Sequence, residues 1–222
     1  MKDGASVRMG AVGSIGSVRP VTSENVTALT EALADKDLQF RAAVANALGE
    51  MGPDAKAAIT PLTMVLNGSD PGPRIAAAGA LWRIDGQKDA ALPILLKYLR
   101  EGDPNQRTYA AWIPGKIGRA AKDAIGDLTQ SLHDQDRGVR LSVATALCKV
   151  NGPKEAAMKV LLDELGKNGE SKYDVLWTLN QLGSDAKDAA PAVRGLTRHK
   201  DRFVRQKALE TLKKIDPKGS VN

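Results

Sequence analysis

Hydrophobic residues recur along the chain with a period of 33 residues. Within each period, apolar residues recur three, seven and ten positions after a basic residue, with small residues between them, as at Val44, Leu48 and Met51 after Arg41. This spacing marks one buried face of an α-helix. A second apolar pair follows, such as Ile59 and Leu62. Each period is therefore predicted to form a first helix, a short turn and a second helix.

Basic residues at one position define the frame of the repeat. They are Arg8, Arg41, Arg74, Arg107, Arg140, Lys172 and Arg205. The step from Arg140 to Lys172 is one residue short, and every other step is 33 residues. Four positions earlier, five periods carry an aspartate: Asp37, Asp70, Asp103, Asp136 and Asp201. We expect each aspartate to cap its first helix, and each arginine to reach a carboxylate of an adjacent unit, so that the pairs form a structural ladder.

Turn residues stand where this frame needs them. Gly52-Pro53, Gly152-Pro153 and Gly183-Ser184 are predicted to end first helices, because glycine accepts a left-handed cap and proline cannot continue a helix. Asp70-Pro71 and Asp103-Pro104 are start signals, with proline at the first helical position.

The frame makes residues 1–222 one predicted repeat domain of about six and a half units. The units are 4–36, 37–69, 70–102, 103–135, 136–167 and 168–200, followed by a half-unit at 201–216 and a tail at 217–222. The predicted fold class is an all-α solenoid.

The repeat resembles the HEAT-repeat family, in its short HEAT-like or phycobilisome-lyase-type form. The pattern is clearest at 37–66, DLQFRAAVANALGEMGPDAKAAITPLTMVL, and the resemblance extends from about residue 4 to residue 216. It implies a right-handed superhelix whose second helices line the concave side. Repeats of this family serve as scaffolds and adaptors and occasionally as enzymes, so the resemblance specifies fold more closely than function.

Two units depart from the family pattern. Pro114 stands inside the first helix of the fourth unit, where it is expected either to bend that helix or to form a specialised contact. Gly10, Gly13 and Gly16 are expected to weaken the first helix of the first unit.

Few residues offer chemistry. The two histidines, His133 and His199, stand two units apart, and no metal-ligand spacing or phosphate-binding glycine loop occurs. Cys148 occupies a position that is glycine in three other units, so a small packed residue is favoured over a reactive thiol. We therefore expect no cofactor, no metal and no enzymatic activity. A phycobilin-lyase-like activity is implied by the resemblance alone.

The predicted concave side offers a candidate binding stripe. Its residues are Thr30, Thr63, Leu96, Arg100, Thr129, His133, Leu162, Arg194 and Arg198. A helix or an extended peptide is the expected ligand of such a surface; a solvated inner face is the equally weighted alternative. Trp112 and Trp177 share one repeat position and form a candidate aromatic patch, although filling gaps against a neighbouring helix is the favoured interpretation.

Charge adds a rival hypothesis. The formal net charge is +6, and all of the excess lies between Lys187 and Lys218. The cations that support binding of nucleic acid or phosphate are Arg194, Arg198, Lys200, Arg202, Arg205, Lys207, Lys213 and Lys214. The rest of the chain is neutral, so a protein or peptide partner is preferred and nucleic acid is the alternative.

Composition limits the remaining possibilities. No apolar run approaches the roughly 18 residues of a membrane span. The N-terminal sequence MKDGASVRMG lacks the apolar core of a signal peptide, and one cysteine fits a reducing compartment, so a cytoplasmic location is favoured. A monomer is expected.

Overall fold

The computed structural model describes residues 2–167 and 172–217, with side chains from Val7 onward. The described residues form α-helices and short 3₁₀ segments, without a strand. The predicted all-α solenoid of paired helices is confirmed. The chain divides into two compact units, Met1–Ile113 and Pro114–Asn222. The expected start of the sixth repeat, including Asn168, and the tail beyond Pro217 lie outside the described residues.

The first compact unit contains three helix pairs and most of a seventh helix. Its first helices are α1 (Lys2–Ser17), α3 (Leu38–Met51), α5 (Pro71–Asp85) and α7 (Pro104–Ile117), of which α7 continues past the boundary. Its second helices are α2 (Ser23–Ala32), α4 (Ile59–Leu66) and α6 (Lys88–Glu101). The periodic apolar residues of both layers form the core, with Leu29, Leu48, Leu62, Leu81 and Leu95 at most 2% exposed.

The second compact unit repeats this arrangement. It contains α8 (Ile125–Gln130), α9 (Arg137–Val150), α10 (Lys154–Gly166), α11 (Lys172–Leu182), α12 (Ala190–Gly195) and α13 (Arg202–Ile215). Short 3₁₀ segments follow α8 and α12, at Ser131–His133 and Leu196–Arg198. Leu128, Leu147, Leu161 and Leu179 are fully buried, as the periodic pattern predicts.

Three of the turns between first and second helices share one 3₁₀ design. They are Gly52–Ala58, Gly118–Ala124 and Gly183–Ala189. Each begins on a glycine with positive φ, between 57° and 74°. Each also buries two alanines, one of them the residue with non-helical φ and ψ. Small side chains are needed here because the turn packs directly onto the first helix.

One predicted turn residue is wrong. Helix α9 ends at Val150, and its left-handed C-cap is Asn151, with a φ of 64°, and not Gly152. Asparagine tolerates this conformation better than most residues with a side chain, and it comes one position earlier in the chain. The prediction at Gly52 and Gly183 is confirmed.

The repeated aspartates cap most, but not all, of the first helices. Asp37 accepts hydrogen bonds from the amides of Gln39 and Phe40, and Asp201 does the same for Phe203 and Val204. Asp136 accepts one from the Val139 amide at 3.0 Å. Asp103 accepts one from the Gln106 amide, while the Gln106 side chain accepts one from the Asp103 amide. Asp70 makes no capping bond: Pro71 and Pro73 have no amide hydrogen to donate, and the Asp70 carboxylate pairs with Arg41 at 2.7 Å.

Only some of the repeated arginines pair with a carboxylate of the next repeat. Arg41 pairs with Asp70 of the next unit at 2.7 Å, as the ladder requires. Arg8 pairs with Asp35 of its own unit at 2.7 Å and lies 3.9 Å from Asp37 of the next. Four others donate to backbone carbonyls just before their own helix: Arg74 to Leu66, Arg107 to Gly102, Arg140 to Asp134 and Gln135, and Arg205 to His199 and Lys200. These four arginines therefore hold the loop that precedes their own helix. Arg140 also forms an ion pair with the buried Glu164 at 2.6 Å.

Glycine lets neighbouring first helices approach almost to backbone contact. A Cβ on Gly16 would lie 2.8 Å from the Cβ of Ala47, and one on Gly49 would lie 3.0 Å from the Cα of Ala80. The same contact recurs in the second unit between Gly115 and Ala146, at 3.1 Å. Gly16 is thus a packing position, whereas Gly10 and Gly13 meet nothing within 4 Å.

Pro114 lies buried inside α7, which continues for one turn beyond it to Ile117. The boundary between the two compact units falls immediately before this proline. Whether it bends the helix stays a prediction.

Candidate functional site: a groove along the first helices

The predicted stripe residues of the first unit are not equally available to a ligand. The Thr63 hydroxyl donates to the carbonyl of Ile59, one turn earlier in its own helix, at 2.8 Å. Thr30 and Leu96 are half-buried, and Arg100 is exposed. The second-helix side of this unit therefore offers mainly Arg100 and the edge of Leu96.

The stripe residues of the second unit follow the same pattern. Thr129 donates to the Ile125 carbonyl at 2.7 Å, and Leu162 is half-buried. Arg194 pairs with Asp216 at 3.1 Å. His133 and Arg198 are exposed.

Two adjoining cavities lie on the opposite side of the first unit, along the first helices. One has a volume of about 360 Å³ and is lined by Met9, Leu38, Gln39, Ala42, Ala43, Asn46, Gly72, Pro73 and Tyr109. The other has a volume of about 550 Å³ and is lined by Met9, Val12, Gly13, Gly16, Ser17, Arg19, Ala43, Asn46, Ala47 and Glu50. They share Met9, Ala43 and Asn46, and we call the combined depression the first-helix groove.

Side-chain size along the repeat explains the groove. Two positions after the repeated arginine, the first three repeats carry Gly10, Ala43 and Ala76. The fourth repeat carries Tyr109 at the same position. Ala43 lies on the floor of both cavities, whereas Ala76 is fully buried, and Tyr109 forms a wall at one end of the groove. The walls also include Met9 and Leu38, which are 40% and 43% exposed.

A hydrogen bond across two repeats fixes the wall. The Asn46 amide, on α3, donates to the hydroxyl oxygen of Tyr109, on α7. Helix α5 lies between them, and packed helices are usually about 8–10 Å apart. The Asn46 and Tyr109 side chains therefore meet across α5, whose Gly72 and Pro73 line the same cavity.

The environment of Tyr109 is strongly desolvated. Burial raises the pKa of its phenol to about 12, and the hydrogen bond from Asn46 opposes part of that rise. The Trp112 ring packs against it, with 5.8 Å between ring centroids. Tyr109 is therefore a neutral, rigid wall at physiological pH.

Charged groups close the other end of the groove. Glu50 pairs with Arg83 at 2.8 Å, and the Glu50 backbone carbonyl accepts a hydrogen bond from Arg19 at 2.7 Å. Arg19 also donates to the carbonyls of Gly16 and Val18. The groove thus combines an apolar floor with a polar rim, as peptide-binding surfaces commonly do.

Sequence reasoning missed the groove residues. The signal that was available is the run of small residues at one repeat position, interrupted by Tyr109 in the fourth repeat. The bond between Asn46 and Tyr109 has no such signal, because it joins residues 63 positions apart whose register depends on how three helices pack.

The tryptophans predicted to share a patch belong to different compact units. Trp112 is half-buried beside Tyr109 in the first unit, while Trp177 is 51% exposed on α11 in the second. Trp82 is only 5% exposed and packs within the first unit. Gap filling fits the half-buried Trp112, whereas Trp177 offers a contact surface.

Few described residues have a side chain whose pKa or hydrogen bonding suggests reactivity. Burial raises the pKa of the Cys148 thiol to about 11, so the thiol is protonated near neutrality. His199 accepts a hydrogen bond from the Asp201 amide through Nδ1 at 3.2 Å.

Among the described residues, no group of histidine, cysteine and carboxylate side chains is arranged to hold a metal ion. No helix in the described part of the chain is long and apolar enough to cross a membrane.

A family model described as HEAT repeats matches residues 2–82 and 59–148 of the chain. Together these matches span about two thirds of the sequence, and they include every helix that lines the groove. No curated protein matches the chain.

Solved structures with similar folds include both enzymes and binding proteins. The complex of CpcE and CpcF of phycocyanin lyase from Nostoc sp. PCC7120 is 26% identical, with a TM-score of 0.62, over 93% of this chain and 81% of that one. A designed armadillo repeat protein in complex with a (KR)4 peptide is 18% identical, with a TM-score of 0.51, over 86% and 99%. Kap95p bound to RanGDP is 16% identical, with a TM-score of 0.51, over 96% and 29%.

Proposed function

The chain belongs to the HEAT-repeat family, and from that premise we propose that it is a non-catalytic scaffold that binds a protein or peptide segment. The observation that carries the proposal is the first-helix groove. Two adjoining cavities, of about 360 and 550 Å³, give room for several side chains of an extended or helical segment.

The lining of the groove supports a peptide in preference to a reactive substrate. Its floor is made of Ala42, Ala43 and glycines, which allow close approach of a ligand backbone. Its polar groups, Gln39 and Asn46, can fix a register through hydrogen bonds. The solved relatives add support of a general kind, since the designed armadillo protein holds a peptide and CpcE forms a complex with CpcF.

The second-helix stripe stays a prediction and supplies the competing surface. Thr63 and Thr129 direct their hydroxyls to their own helices, which lowers their value for a ligand. Leu96 and Leu162, both half-buried, are the stripe residues that a charge would disturb most. Variants on the two sides therefore separate the two binding modes.

The proposal is tested by selecting binders from a phage-displayed library of random twelve-residue peptides. Ala43→Trp places an indole on the groove floor, and we expect it to weaken the selected peptides by at least about tenfold, because the ring occupies their volume. Ala28→Trp, on an exposed position of α2, is the matched control and should change affinity less than about twofold. Circular dichroism checks that both variants remain folded.

Two outcomes of this selection contradict the proposal. Failure to enrich any peptide argues against a peptide-binding scaffold. Loss of binding in Leu96→Glu with Leu162→Glu, but not in Ala43→Trp, places the ligand on the second-helix side. A bilin-handling role rests only on the likeness to the lyase; we expect no absorbance shift when a bilin is titrated with the chain.

A further inference from the structure

A second exposed surface lies where α11 and α13 pack side by side in the second compact unit. The two helices have a fixed register. Thr211 donates to the Leu176 carbonyl at 3.1 Å, and Lys214 donates to the Asn180 side chain at 3.4 Å. One turn earlier in each helix, the Lys207 ammonium lies 5.8 Å from the centre of a tyrosine ring, that of Tyr173.

Three aromatic side chains remain exposed along this helix pair. Tyr173 is 44% exposed, Trp177 is 51% exposed, and Phe203 is 62% exposed. Residues four apart share a helix face, so Tyr173 and Trp177 lie on one face of α11, and Phe203 and Lys207 lie on one face of α13. Because Lys207 contacts Tyr173, these two faces adjoin.

Cations are interleaved with the aromatic rings. We define the aromatic–basic patch as Tyr173, Trp177, Phe203, Lys207, Glu210 and Lys214. The Arg202 guanidinium lies over the Phe203 ring at 5.2 Å, which brings a further positive charge to the edge of the patch. Glu210, the carboxylate of the patch, pairs with Lys207 at 3.0 Å. Lys214 and Arg202 add two positive charges, so the patch is net positive.

Exposed aromatic side chains of this size are uncommon on a surface that only faces water. Trp, Tyr and Phe are the residues that anchor protein interfaces, because they bury large apolar area. The surrounding cations attract a partner of opposite charge and raise its rate of association.

We propose that the aromatic–basic patch binds an acidic peptide segment that carries apolar anchor residues. The apolar anchors lie against Trp177 and Phe203, and the carboxylates of the segment pair with Lys214 and Arg202. Lys207 is 8% exposed and already paired with Glu210, so it joins Tyr173 of α11 to α13 and does not serve as a ligand for the segment. This surface belongs to the second unit and does not depend on the first-helix groove.

The cations argue against nucleic acid as the occupant. Phosphates repeat along a strand, and a protein that binds them needs cations along the whole path. Here they lie on a single helix of 14 residues, and Glu210 stands among them. Arg194 is paired with Asp216, and Arg205 donates to two backbone carbonyls. An acidic segment of a few turns matches this length better.

The test uses a fluorescein-labelled peptide of three Glu-Leu-Asp-Phe repeats, with fluorescence anisotropy as the readout. A peptide of three Lys-Leu-Lys-Phe repeats has the same apolar residues and the opposite charge. We expect the acidic peptide to bind at least about tenfold more tightly, with an affinity that falls as salt rises. Equal or tighter binding of the basic peptide, or tighter binding of a twelve-residue oligothymidine, overturns the proposal.

Matched variants on the same helices locate the binding surface. Trp177→Ala should weaken the acidic peptide by at least about fivefold. Leu209→Ala is its control, because Leu209 is also 51% exposed but lies two residues, or about 200° of helix rotation, from Lys207. Lys214→Glu should weaken binding by about threefold or more, and Lys213→Glu, about 100° away around the helix, by less.

The proposal for the groove and the proposal for the patch can be disproved independently of each other. Ala43→Trp should leave binding of the acidic peptide unchanged, since Ala43 belongs to the first unit. If Ala43→Trp abolishes it and Trp177→Ala does not, the acidic peptide occupies the groove and the patch proposal is wrong. If the peptide library yields no binder but the acidic peptide responds to Trp177→Ala, the patch stands without the groove.

Discussion

Single residues hold the groove in shape, and Tyr109 is the one whose ionisation reports on it. Its folded-state pKa is raised to about 12, against a usual value near 10. Between pH 10 and 12 the unfolded chain loses the phenolic proton while the folded chain retains it. The unfolded state then binds fewer protons, so this residue's contribution to stability falls as pH rises.

We therefore predict that the free energy of unfolding of the wild type falls by about 1–3 kcal/mol, relative to that of Tyr109→Phe, between pH 9 and pH 12. At pH 9 wild type should be the more stable protein, because Tyr109→Phe loses the hydrogen bond from Asn46. Urea unfolding of both proteins across this range measures the difference. A stability difference that stays constant with pH would mean that Tyr109 is not desolvated.

The repeated aspartates are not equivalent at the residue scale. Asp201 accepts two amide hydrogen bonds at the start of α13, whereas Asp70 makes an ion pair with Arg41 and no capping bond. Asp201→Ala should raise amide exchange in the first turn of α13 by about fivefold, which corresponds to the roughly 1 kcal/mol of an N-cap. Asp70→Ala should change exchange in α5 less than about twofold, since exposed ion pairs contribute little. Equal effects in hydrogen-exchange mass spectrometry would contradict the geometry.

Whole helices approach one another through glycine, which sequence periodicity alone does not reveal. A Cβ on Gly49 would meet the Ala80 backbone at 3.0 Å, whereas one on Gly10 would meet open space. Gly49→Ala should destabilise the chain by about 1–3 kcal/mol through overpacking, despite the better helix propensity of alanine. Gly10→Ala should stabilise it by up to about 1 kcal/mol. Thermal unfolding followed by circular dichroism compares the two, and stabilisation by Gly49→Ala would contradict close packing.

Helix existence and pairing could be predicted because each repeat supplies independent evidence for the same periodicity. Helix ends were less predictable. Asn151, rather than Gly152, is the left-handed C-cap of α9, and Asp70 forms an ion pair instead of a capping hydrogen bond. At α9 two neighbouring residues could have formed the cap, and at α5 one carboxylate had two possible partners; both outcomes depend on distances that the sequence does not contain.

At the scale of the molecule, the repeat pattern predicts a layered scaffold but not which side of it carries function. The predicted stripe followed the second helices, where Thr63 and Thr129 prove to bond back to their own helices. The groove and the aromatic–basic patch both lie along first helices. They arise from side-chain size and exposure at single repeat positions, such as those of Ala43 and Trp177. These positions vary in character between repeats, while the buried positions stay mostly apolar.

Hydrogen–deuterium exchange with and without a library-selected peptide tests whether the first-helix groove of the first unit binds a peptide segment. Bound peptide should slow exchange in α1 and α3, whose residues line both cavities, and leave α4 and α6 unchanged. Slower exchange confined to α4 and α6, with none in α1 or α3, would contradict the claim.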